Sequence, residues 1–129
     1  MSTSIVALEK DLFFAVKIRD TLRHHDIEAN IVRTLSAFEQ RIAANDENNE
    51  GQTRPALAIV NTATVGLDWE AAIRAARAQG LPVLAFGSHM DLEAREKALQ
   101  AGAQQVVANS KFTSDMYGLV SRFLEEKGA

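Results

Sequence analysis

Cysteine is missing from the chain, which rules out disulfides, thiol nucleophiles and cysteine-based zinc or iron–sulfur centres. An excess of positive charge is missing too. Lys and Arg number 14 against 17 Asp and Glu, for a formal charge of -3, and the basic residues are spread through the chain. That distribution lacks the electrostatic footprint of a nucleic-acid binder, so no nucleic-acid partner is expected. No apolar run approaches the length of a membrane span, and the segment from Met1 to Val6 lacks a basic region leading into a long apolar one. The expectation is a cytoplasmic protein with no membrane association. Gly-x-Gly-x-x-Gly after a strand and the Walker pattern are both absent, so a nucleotide site would lack its usual backbone cradle.

What is present is a medium-sized globular composition. The 129 residues are 47% apolar and 24% charged, enough for one core and too few for two ordinary ones, so residues 1–129 are read as one domain. The organising stretch runs from Pro55 to Gly66. Ala56 to Val60 carry no polar side chain, and so short an uninterrupted run reads as a strand buried on both faces. Asn61 is the first side chain to leave that apolar setting.

The rest alternates strand and helix. Ile5 to Leu8 is an apolar strand; Glu9, Lys10 and Asp11 follow, then a helix with Phe14, Ile18 and Leu22 at four-residue steps. Ile27 to Ile31 alternates apolar with polar, as an edge strand does. Ser36 is the expected cap of a helix through Ala44, with Phe38 and Ile42 inward and Glu39 in the capping-box position. Residues 45–54 are polar throughout and read as a loop. Asp46, Asn48, Glu50 and Gly51 in it fit the opening of a calcium-binding loop, but Leu57 stands where the bidentate carboxylate belongs, and no metal is expected.

Beyond Gly66, Asp68 opens a helix with Trp69, Ala72, Ile73 and Ala76 on one face. Pro82 to Phe86 is a strand, and residues 91–101 form a helix closed by Gly102. Gln105 to Ala108 is the last strand. Met116, Leu119, Val120, Phe123 and Leu124 make a clean amphipathic stripe on the last helix. Five such units demand crossover connections, hence an α/β doubly wound parallel sheet with helices on both faces, a (βα)5 three-layer sandwich of strand order 2-1-3-4-5. In that order Glu9, Lys10, Asp11 and Asn61 line one crevice at the strand ends. Gly87, Ser88, Asn109, Ser110 and Lys111 form its wall.

This layout resembles the receiver domain of two-component response regulators (CheY-like, flavodoxin-like fold) over Ile5 to Leu124, with Gly66 and Asp68 in the expected places. The resemblance implies an acidic pair after strand one, a phosphorylated Asp after strand three, a Ser or Thr after strand four and a Lys after strand five. Here those positions hold Glu9 with Lys10, Asn61, Gly87 with Ser88 beside it, and Asn109 or Ser110 with Lys111 close by. The aromatic that reports phosphorylation in many receivers is Val106. An amide is not a nucleophile, and a carboxylate, an amide and an ammonium make a poor magnesium cage. The chain therefore reads as a pseudo-receiver with no catalytic residue, no metal and no cofactor, in which Lys10 pairs with Glu9 or Asp11.

The resemblance further implies signalling by protein contact or self-association through the face of the fourth helix, fifth strand and last helix, where Arg95, Val106, Tyr117 and Arg122 fall. Trp69, which begins a helix beside the crevice, either packs locally or offers an exposed anchor for a partner. No output module is expected to follow, since the chain ends soon after its last helix. The alternatives are a divergent true receiver in a phosphorelay, phosphorylated at Asp11, Ser88 or Asp68, and a small flavodoxin-like ligand-binding protein. His24 and His25 suit a helix terminus, and His89 lacks a carboxylate to make a triad.

Overall fold

The structure, a computed structural model, describes residues 3–43 and 54–128. Most of the polar loop, with the calcium-loop-like Asp46, Asn48, Glu50 and Gly51, lies outside the described residues, as does Ala44. Within them the strands are β1 (Thr3–Leu8), β2 (Ile27–Val32), β3 (Ala58–Asn61), β4 (Val83–Gly87) and β5 (Gln105–Ala108). The helices are α1 (Leu12–Arg23), α2 (Leu35–Ile42), α3 (Trp69–Ala78), α4 (Leu92–Ala101), α5 (Asn109–Ser114) and α6 (Met116–Gly128). The sheet is parallel throughout, in the order β2-β1-β3-β4-β5.

Period-two alternation along the strands splits the core in two. Val6, Leu8, Ala58, Val60, Val83 and Ala85 face α2, α3 and α4, where Phe38, Ile42, Ile73 and Ala98 meet them. Ile5, Ala7, Ile59, Leu84 and Phe86 face the other way, against Ile18 and Leu22 of α1, Phe112 of α5 and Met116, Leu119 and Val120 of α6. All these residues lie under 5% exposed, and each large one contributes roughly 1.5–3 kcal/mol by leaving water. Phe86 stacks on Phe112 with centroids 3.9 Å apart, which ties β4 to α5.

Helices begin where strands have just ended, and short polar side chains start them. Asp11 accepts from the N–H groups of Phe13 and Phe14, Asp68 from Ala71, and Asp91 from Ala94. Each such cap is worth about 1 kcal/mol. The second helix is capped by Thr34, whose Oγ1 accepts from the Ala37 N–H (3.1 Å), and not by Ser36 as its sequence suggested. The central strand starts two residues later than expected and takes in Asn61, which is buried within it. A further departure is α5, a six-residue helix wedged between β5 and α6 with no side-chain cap. It places Asn109 to Lys111, the expected wall of the crevice, in a helical turn.

Candidate functional site

Register brings the crevice together. Leu8 pairs with Val60 and Asn61 with Phe86, so Glu9 emerges beside Asn61 and Thr62 emerges beside Gly87. Glu9 is 1% exposed and Asn61 5%. Glu9 Oε1 accepts from the Asp11 backbone N–H at 3.1 Å, while Oε2 is buried with no donor in bonding geometry. Burial pushes the Glu9 carboxyl above the usual glutamate range; the Asn61 amide and the Asp11 N–H offset part of that by favouring the anion, and the Asp11 carboxylate adds to it.

Asn61 is held by its own turn. Its Oδ1 accepts from the Ala63 N–H at 2.8 Å, and its backbone carbonyl accepts from the Thr64 hydroxyl at 3.0 Å. The side-chain oxygen is thus committed, leaving the amide nitrogen toward Glu9. Thr62, buried like its neighbour, donates its hydroxyl to the Phe86 carbonyl at 3.3 Å. A Cβ built on Gly87 would overlap that hydroxyl. The space where a hydroxyl side chain of strand four would stand is occupied from strand three.

The remaining residues named from the sequence are spent elsewhere. Lys10 is exposed, its Nζ lying over Gly66, and among the described residues no carboxylate is within ion-pair distance of it. The expected pairing with Glu9 or Asp11 is therefore corrected: Glu9 is sealed beneath the chain, and Asp11 is occupied as the cap of α1. Ser88 is exposed and closes its own turn by accepting from the Met90 N–H. Lys111 turns along α5 to pair with Asp115 at 3.3 Å, so its ammonium points away from the crevice. Ser110 is exposed on the same turn, and Asn109 Oδ1 is buried without a donor.

The residues assigned to an interaction face that line cavities line different ones. Arg95 and Val106 line a cavity of about 230 Å³ beside Thr62, Gly87 and Ser88. Arg122 lies at the opposite ends of the strands, near Pro82 and Gln104. Tyr117 stacks on His25 at the end of α1, centroids 3.6 Å apart and planes within 9°. Trp69 is partly buried and packs inward from the start of α3. Sequence reasoning missed Thr62; its signal is a hydroxyl residue just past Asn61, facing a glycine at the end of the next strand.

No family model and no curated sequence matches the chain. Solved structures do match it in fold. The CheY-like response regulator receiver domain protein of Methanospirillum hungatei superposes with a TM-score of 0.79 at 16% identity, covering 99% of this chain and 98% of that one. A response regulator receiver domain from Francisella gives 0.78 at 12%, covering 98% and 99%. The receiver domain of a Pseudomonas aeruginosa sensor histidine kinase, solved with magnesium coordinated in its active-site cleft, gives 0.78 at 19%, covering 97% and 99%. At these identities the likeness establishes a receiver-like α/β fold. Among the described residues no helix is long and apolar enough to cross a membrane.

Proposed function

We propose that this chain is a receiver-like signalling domain that works by protein contact and accepts no phosphoryl group. The observation that carries the reading is the Glu9–Asn61 pair. A side-chain amide locked into its own turn stands where the fold would present an acceptor carboxylate, and the one buried acid beside it is pushed toward its neutral form. An amide cannot form an acyl phosphate, and a single carboxylate beside an amide makes a poor magnesium cage. Thr62 over Gly87 supports the same reading, because it fills the space of a strand-four hydroxyl with a group already donating to Phe86. No residue of the crevice has the partners of a general acid–base pair, so the domain is proposed to be non-enzymatic.

The contact surface is proposed to centre on α4. Leu92 and Leu99 lie 72% and 43% exposed on its outer face with Arg95 between them, and Val106 of β5 continues from Arg95. Apolar side chains left in water at helical spacing support a partner there. Tyr117 and Arg122 are not part of this surface.

An amide NMR spectrum recorded alone, then with magnesium and beryllofluoride, tests the proposal. The expected result is no saturable change at residues 9, 61 or 87. Saturable shifts there would support a true phosphoreceiver instead, and saturable shifts with flavin alone would support a ligand-binding protein.

A further inference from the structure

The strand ends opposite the crevice carry a concavity of different chemistry. There a cleft of about 590 Å³ opens between the end of α3, the starts of β4 and β5, and α6. Small-molecule sites run roughly 300–1,000 Å³. Arg77 and Arg122 both line it, and among the described residues none of its lining is acidic. Among the described residues neither guanidinium has a carboxylate within ion-pair distance, although the chain as a whole is acidic. Two like charges sharing one cleft repel each other unless an anion lies between them.

Local structure fixes the donors. The stem of Arg77 lies so close to the Gly102 backbone that a Cβ there would overlap it, which limits where the guanidinium can go. Gln104 Oε1 accepts from the Val83 N–H at 2.8 Å, which fixes the orientation of its amide and leaves the NH2 free to donate. Helix α3 ends beside the cleft, and bare carbonyls there would repel an anion. They are instead used: Gly80 N–H donates to the Arg77 carbonyl, Leu81 N–H to that of Ala76, and Arg54 to that of Gln79. Phe123 and Pro82 supply an apolar wall.

We propose that this cleft binds a small phosphorylated metabolite of mononucleotide size, its phosphate between Arg77 and Arg122 and its planar part against Phe123 and Pro82. The planar guanidinium fork suits phosphate oxygens, and an aromatic face suits a base. The site is independent of the Glu9–Asn61 crevice, and its occupant would signal from the other end of the sheet.

The test is an amide NMR titration of the full chain with AMP and, separately, with inorganic phosphate. Expected are saturable shifts at Gly80, Gln104 and Gln105 with AMP, and weaker binding of phosphate alone. Arg77→Gln and Arg122→Gln, which keep most of each stem, should each weaken AMP by about tenfold or more, and the double variant should abolish saturation. Unchanged spectra away from the cleft show that the variants fold. Linear, non-saturating shifts, an equal response to phosphate and AMP, or undiminished binding in the folded double variant would each overturn the proposal.

Discussion

The hydroxyl of Thr62 occupies the volume that a side chain on Gly87 would need, so with Thr62 in place the ends of β3 and β4 fit best with glycine at 87. Gly87 is the buried last residue of β4, and the neighbouring Thr62 backbone also donates to the Phe86 carbonyl at 2.9 Å, which leaves little room to yield.

Placing a threonine at 87 is therefore expected to destabilise the fold by about 1–3 kcal/mol through overpacking. Thr62→Ala costs less, on the order of 1 kcal/mol, because the Phe86 carbonyl keeps its backbone donor. Combining Gly87→Thr with Thr62→Ala should recover much of the loss, with a coupling of roughly 1 kcal/mol or more. Urea unfolding of the four proteins measures this, and strict additivity would show that the two residues do not compete for one space.

Glu9 makes stability depend on pH. Its folded-state value lies above the ordinary 4.5, chiefly because burial disfavours the charge. Folding thus favours the neutral acid more than the unfolded chain does. Its contribution is fully present below the unfolded-state value and is lost as pH rises through the folded one. Across that window, from near 4.5 upward, the wild-type chain should lose stability relative to Glu9→Gln, which cannot ionise. Thermal melts at stepped pH check the sign: a wild-type advantage that grows with rising pH would refute the assignment.

Asp11 is a cap, and its replacement should behave as one. Asp11→Ala removes the acceptor for the Phe13 and Phe14 N–H groups and is expected to cost about 1 kcal/mol. Asp11→Ser, which retains a capping oxygen, should cost only a small part of that. Equal losses in both variants, read by urea unfolding, would mean that the negative charge matters more than the hydrogen bonds.

The opening of α3 at Asp68 and the inward faces of α1, α3 and α6 were legible because each depends on spacing within one segment, and the sheet order because alternating strands and helices leave few parallel arrangements. Gln105–Ala108 was read to the residue. The cap of α2 was misread because Thr34 and Ser36 carry the same hydroxyl, and only the extended backbone at Thr34 (φ -133) decides between them. Helix α5 was missed because six residues with no side-chain cap leave no local signature. Lys111 could have been placed correctly, since Asp115 is its i+4 neighbour. The Thr62–Gly87 fit and the His25–Tyr117 stack join residues 25 and 92 positions apart by number, and nothing in either segment announces them.

Charge at the strand ends provides the last prediction. In Asn61→Asp with Lys10→Asp, two carboxylates join the buried Glu9, and the ammonium over Gly66 is gone. The Ala63 N–H still finds an oxygen at 61, so the turn survives. Without a cation the three acids repel, and the double variant should melt below the wild-type chain in chelator. A cation that binds only the folded state adds stability as its concentration passes the dissociation constant, by about 1.4 kcal/mol per tenfold. Magnesium should therefore raise the melting temperature of the double variant and leave the wild-type chain unmoved. The Gly87 space stays filled by Thr62, so the restored feature is metal affinity alone. A double variant indifferent to magnesium, or a wild-type chain stabilised as much, would show that Asn61 and Lys10 are not what keeps the ion out.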